Sequence, residues 1–100
     1  MGHLTIRLEN ADAVHDYFFG LGDKEHIYDI MVSQIAKGIE EKVEFVRIAE
    51  VELDNGDDFI IDCWEEDWKE NLTMAKQWYI DNEIYESCTQ VQNLISQLPF

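Results

Sequence analysis

The sequence predicts an α+β fold: a three-stranded, mostly antiparallel sheet and four helices in the order β-α-α-β-β-α-α. Three observations carry that reading. His3 to Leu8 alternates polar and apolar residues with the period of two that marks a half-buried strand. Val43 to Leu53 and Asp58 to Trp64 flank Asn55-Gly56, a dipeptide suited to a tight hairpin turn. The remaining long stretches repeat apolar residues at helical spacing. Residues 1–100 make one acidic domain, too short for two cores.

The N-terminal strand points Leu4, Ile6 and Leu8 inward and His3, Thr5 and Arg7 outward. Asn10 or Asp12 caps a short helix with Val14, Tyr17, Phe18 and Leu21 inside, ended by Gly20 and Gly22. Asp23 caps a second helix from Lys24 to about Lys42, with a core stripe of Ile27, Ile30, Met31, Ile35 and Ile39. Gly38 either weakens its last turn or lets another backbone approach. Lys37 and Lys42 suit the negative end of its dipole. A third helix, Glu65 to Asp81, aligns Trp64, Trp68, Leu72, Ala75 and Tyr79. A break at Asn82 precedes a fourth, Glu83 to Leu98, which Pro99 stops; without that break the two would run as one bent helix.

The hairpin register follows from charge. A three-residue loop, Asn55-Gly56-Asp57, pairs Leu53 with Phe59, Val51 with Ile61 and Ala49 with Cys63, all facing the core. A two-residue turn would bury Asp58 and Asp62, and each unpaired buried charge costs several kcal/mol. The longer loop puts Glu50, Glu52 and Asp62 on the other face with Ile48, Ile60 and Trp64, a regular anionic surface. Val43 and Phe45 run out of phase with Val46 and Ile48, which marks a bulge or burial on both sides. Helices pack on the core face, and the N-terminal strand lies next to the hairpin.

Charge sets the functional reading. Against 22 acids stand 7 Lys and Arg, a net charge of −15. The stretch EVELDNGDDFIIDCWEEDWKE, Glu50 to Glu70, concentrates acids among enough apolar residues to fold. Such a surface repels nucleic acid and anionic lipid and attracts basic proteins. No run is long and apolar enough to span a bilayer, and MGHLTIRLEN lacks the pattern of a signal peptide. Cys63 and Cys88 read as buried thiols of a reducing compartment. The expected location is the cytoplasm, the host's if the chain is phage-encoded.

Chemistry finds little support. Asp54-Asn55-Gly56-Asp57-Asp58 resembles a calcium loop, but with Gly56 at position six, positions one and three fall on Val51 and Leu53. His3, His15, His26, Cys63 and Cys88 lack zinc spacing. Cys63 among carboxylates has its thiol held protonated, which opposes nucleophilic catalysis. The expectation is no enzyme, no metal and no cofactor.

In size, acidity, lack of catalytic motifs and α+β build, the chain is similar to phage-encoded anti-CRISPR and anti-restriction proteins; no motif specifies a family. That likeness of type implies an inhibitor that mimics nucleic-acid phosphates and blocks the basic nucleic-acid-binding surface of a nuclease or CRISPR effector subunit. The partner-binding residues would be Glu50, Glu52, Asp54, Asp57, Asp58, Asp62, Glu66 and Glu70, with Trp64 as aromatic anchor. The alternatives are an immunity protein or antitoxin that neutralises a basic toxin, and a small acidic regulatory domain. No direct contact with nucleic acid or membrane is expected, and unpaired sheet edges would support a homodimer.

Overall fold

The computed structural model describes residues 2–19 and 24–98. Its elements are β1 (Leu4–Leu8), α1 (Ala11–Phe19), α2 (Lys24–Glu41), β2 (Phe45–Leu53), β3 (Asp58–Trp64), α3 (Glu65–Asp81) and α4 (Tyr85–Gln97). This is the predicted α+β order. The sheet runs β1-β2-β3, with β2 central. β2 and β3 form the antiparallel hairpin, whereas β1 lies parallel to β2, so the sheet is mixed. The connection through α1 and α2 is a crossover long enough to bring the chain back to the starting end of the sheet, as a parallel pair requires.

The hairpin register differs from the expected one by two residues. Val51 opposes Phe59 and Ala49 opposes Ile61, while Leu53 lies beyond the last pair, Glu52 with Asp58. A shift of two preserves which face each side chain takes, so the core assignment survives the change. The turn is closed by the Leu53 amide donating to the Asp57 carbonyl at 3.1 Å and the Asp57 amide donating to Asn55 Oδ1 at 2.9 Å. Gly56, at φ +91°, takes the left-handed position. Phe59 points to the helix side but is 43% exposed and joins neither core cluster.

The bulge falls between Arg47 and Ala49, leaving Ile48 without a cross-strand partner and pairing Val46 with Cys63. Ile48 is consequently buried in the core rather than displayed beside Glu50. One core cluster joins Ala49, Val51 and Leu53 to Leu4, Ile6, Leu8 and Val14. The larger one packs Val32 and Ile35 of α2 and Trp68, Leu72, Ala75 and Tyr79 of α3 against Val46, Ile48 and Cys63. Val91 and Leu94 of α4 complete it from behind α3.

The caps are local and specific. Asn10 Oδ1 accepts the Ala13 amide at 3.0 Å, so Asn10 caps α1. The roles expected of Gly20, Leu21, Gly22, Asp23 and Pro99 lie outside the described residues. α3 does end before Asn82. Glu83 takes φ 59°, and the Ile84 and Glu83 amides donate to the Tyr79 and Ile80 carbonyls, a Schellman closure without glycine. α2 carries no cation in its last turn; Lys42 follows it, at φ 57°.

Gly38 serves close approach. A Cβ there would stand 2.5 Å from Val46 Cγ1 and 2.9 Å from the Trp68 ring. Alanine gains about 1 kcal/mol of helix propensity, but overpacking a tight core costs about 1–3 kcal/mol. Gly38→Ala is therefore expected to lower unfolding stability in urea by about 1 kcal/mol. A stabilised variant would mean that α2 slides freely away from β2.

Tyr79 is buried, and its hydroxyl donates to Asp29 Oδ1 at 2.6 Å. Burial first, then the hydrogen bond and negative charge of Asp29, push the phenol well above its ordinary range. The folded value exceeds the unfolded one, so the contribution is complete below about pH 10 and is lost as pH rises further. Denaturation at about pH 9 and about pH 11 should show a steeper fall for the native protein than for Tyr79→Phe. Equal slopes would remove Tyr79 from the alkaline transition.

Candidate functional site

The face of the sheet away from the helices gathers most of the expected residues. Its rows follow from the ladders. Arg7, Glu52 and Asp58 lie across one row, and Thr5, Glu50 and Ile60 across the next. Arg47 and Asp62 form the third, and Phe45 and Trp64 the last. The face therefore grades from carboxylates near the hairpin turn to aromatics at the other end. Glu52 opposite Asp58 is a like-charge pair, a destabilising arrangement that the fold retains in the open.

The middle of this face is not the continuous anionic surface expected. The bulge turns Arg47 outward, onto the side of Glu50 and Asp62. Its Nη1 donates to Glu50 Oε1 at 3.0 Å and its Nε to Asp62 Oδ1 at 3.3 Å. His3 Nε2 lies 3.4 Å from Glu50 Oε2. Arg7 Nε donates to Asp54 Oδ1 at 3.0 Å. Both arginines of the chain are thus committed to this face. Below the bulge, buried Gln34 donates its Nε2 hydrogen to the Arg47 carbonyl at 2.8 Å, fixing the backbone that aims Arg47.

Among the described residues, Glu52, Asp57, Asp58, Glu66 and Glu70 form no ion pair. They fall into two groups. Glu52, Asp57 and Asp58 sit at or beside the hairpin turn. Glu66 and Glu70 lie one turn apart on α3, beyond the other end of β3. Six strand steps of about 3.3 Å each separate Asp58 from Trp64, roughly 20 Å. The expected site is thus two carboxylate clusters with a partly neutralised strip between them.

Trp64 is the last residue of β3 and the N-cap of α3, where its side chain makes no capping bond. It is 50% exposed, and Phe45, 41% exposed, lies against it with ring centroids 4.9 Å apart. The Glu65 amide donates to the Glu44 carbonyl at 2.8 Å, which holds the start of α3 against the entry to β2. Glu44, Trp64, Glu65 and Glu66 line a shallow hollow of about 340 Å³. Glu44, Phe45 and Glu65 were not among the expected binding residues. The signal for Phe45 was its phase against Val46, which required the bulge to be placed. Trp68 and Trp78, by contrast, belong to the interior: the Trp68 Nε1 hydrogen goes to the Cys63 carbonyl at 3.0 Å, and Trp78 packs on Tyr28.

The Cys63 thiol is held toward its protonated form. Burial raises the Cys63 thiol above its ordinary value, the Asn71 amide donating to its sulfur at 2.9 Å opposes this, and Asp67 adds to the rise. Among the described residues no three His, Cys, Asp or Glu side chains converge in an arrangement that could hold a metal. No helix among them is long and apolar enough to cross a membrane. No protein-family model matches the chain, and neither does a curated protein or a solved structure.

The two tryptophans at the ends of this segment should separate in stability measurements. Trp64→Ser removes a half-exposed ring but supplies the missing cap, worth about 1 kcal/mol, so its net cost should stay below about 1.5 kcal/mol. Trp68→Ala empties the core and should cost about 3–5 kcal/mol. Equal losses in chemical denaturation would make Trp64 a core residue in all but position.

Proposed function

We propose that this protein is a small acidic inhibitor that presents carboxylates in place of nucleic-acid phosphates and blocks the basic nucleic-acid-binding surface of a nuclease or CRISPR effector complex. The observation that carries the reading is the placement of the acids. Arg47 is used on the middle of the open sheet face and Arg7 on Asp54 at the turn, while further carboxylates without ion-pair partners among the described residues stand beside the turn and beyond the other end of β3. Lysines and arginines that otherwise meet phosphates would meet these groups. Association would be fast at low ionic strength and weakened by salt. The helix dipole explains only the acids of the first turns. It does not explain Asp57 and Asp58 on the hairpin.

The exposed Phe45–Trp64 pair favours a second reading, an immunity protein with an interface tailored to one basic toxin. Aromatics desolvate and persist in salt, where charge alone does not. The two readings separate by salt and by competition. A decoy is displaced by DNA and released at about 0.5 M salt, whereas a tailored complex survives both.

The test is a triple reversal, Asp57→Lys, Asp58→Lys and Glu66→Lys, which takes the net charge from −15 to −9. All three side chains are exposed, so the fold should stand. Native protein should displace labelled DNA from the nuclease or effector that it captures at low salt. The variant should need at least roughly tenfold more protein, a loss of about 1.4 kcal/mol. Equal competition by the two proteins would refute the assignment of these carboxylates.

A further inference from the structure

We infer that the hollow beside Trp64 is an anchor for an arginine side chain of the basic partner, with its guanidinium laid on the exposed indole and paired with Glu65 or Glu66. The inference rests on the reading that the partner is a basic protein and adds which side chain it inserts and where. The surface is first of all apolar. Trp64 and Phe45 form a tilted ring pair, interplanar angle 37°, at the end of the open face, 50% and 41% exposed, and Ile60, on β3 with Trp64, is 57% exposed. Exposed aromatics at adjacent positions are costly for the fold to leave in water. Here the cost is compounded, because Trp64 occupies the cap position of α3 without making a capping bond. Serine or aspartate there would serve the helix better. The cross-strand ring contact with Phe45 is what the sheet gains from Trp64, and it leaves half of the indole open to a partner.

The walls of the hollow decide the occupant. Glu44, Glu65 and Glu66 surround Trp64, and none forms an ion pair among the described residues. Apolar or acidic partner segments would desolvate these carboxylates without return. A second copy of the chain, itself at −15, would be repelled. Glu65 and Glu66 gain part of their compensation from the positive end of α3, and Glu44 gains none there, so a cation completes the set, and the flat ring selects among cations. Guanidinium is planar, stacks on indole and pairs with a carboxylate through two parallel hydrogen bonds. Ammonium is more strongly hydrated and offers a single point of charge. Arginine is thus preferred over lysine at equal charge.

The preference is measurable without knowing the partner. Two capped peptides, acetyl-(Gly-Arg)4-amide and acetyl-(Gly-Lys)4-amide, carry the same charge and differ only in the cation. Binding is followed by isothermal titration and by the three tryptophan indole NMR signals at about 50 mM salt. The native protein should bind the arginine peptide at least fivefold more tightly and shift the Trp64 signal selectively. Trp64→Ser, which leaves the charge at −15 and supplies a cap, should bring the two affinities together. Glu66→Gln, on an exposed helical position, should reduce the preference without touching the indole. Equal affinities in the native protein, or a preference that persists in Trp64→Ser, would overturn the anchor. Salt-sensitive binding without arginine preference would leave the inhibitor reading standing. Arginine preference in a protein that displaces no DNA would leave the anchor standing and remove the decoy.

Discussion

One extra residue in the central strand governs both sides of the sheet. Ala49, Val51 and Leu53 point toward the helices, and strict alternation would carry Arg47 inward with them. Ile48 breaks the alternation, so that Val46 returns to the core and Arg47 to the open face. Burying an unpaired arginine would cost several kcal/mol, more than the lost ladder bonds. Two features of α2 accommodate the bulge. Gln34 donates to the carbonyl of Arg47, and Gly38 leaves room for Val46 beneath the helix. The core, the ion pairs and the aromatic end of the face all follow from this one irregularity.

A net charge of −15 on 100 residues works against compactness. First-turn acids, Asp12, Glu25, Glu65, Glu66, Asp67 and Glu86, offset part of that by facing positive helix ends. The remainder do not. α2 ends on Glu40 and Glu41 and α3 on Asp81, where the dipole is negative, and none of the helices has a cation in its last turn. Two apolar clusters, joined through Ile61 at the middle of β3, supply the cohesion.

The candidate site was legible as a list of residues but not as a shape. Parity alone put Glu50, Glu52, Asp62 and Trp64 on one face, because a two-residue register shift leaves faces unchanged. Parity could not place Ile48, since the position of a bulge depends on what packs beneath it. Arg7 and Arg47 therefore escaped notice as neutralising groups. Their carboxylate partners are near in space and, for Arg7 with Asp54 and Arg47 with Asp62, far along the chain. Trp64 carries two signals, the start of the α3 stripe by helical spacing and the open face by strand parity. The strand decides between them and holds it on the open face, half-exposed.

By itself the sequence determined the element types and order, the core stripes of α2 and α3, the inward residues of β1 and the sign of the surface. These depend on local spacing and on composition, which neighbours along the chain supply. Tertiary structure decided the rest. Alternation in Leu4–Leu8 is the same read in either direction, so the parallel pairing of β1 with β2 came only from how α1 and α2 return the chain. Composition counts charges without positions. Which carboxylates stay unpaired, and that an aromatic pair stands beside them, depended on a register and a bulge that only packing fixes.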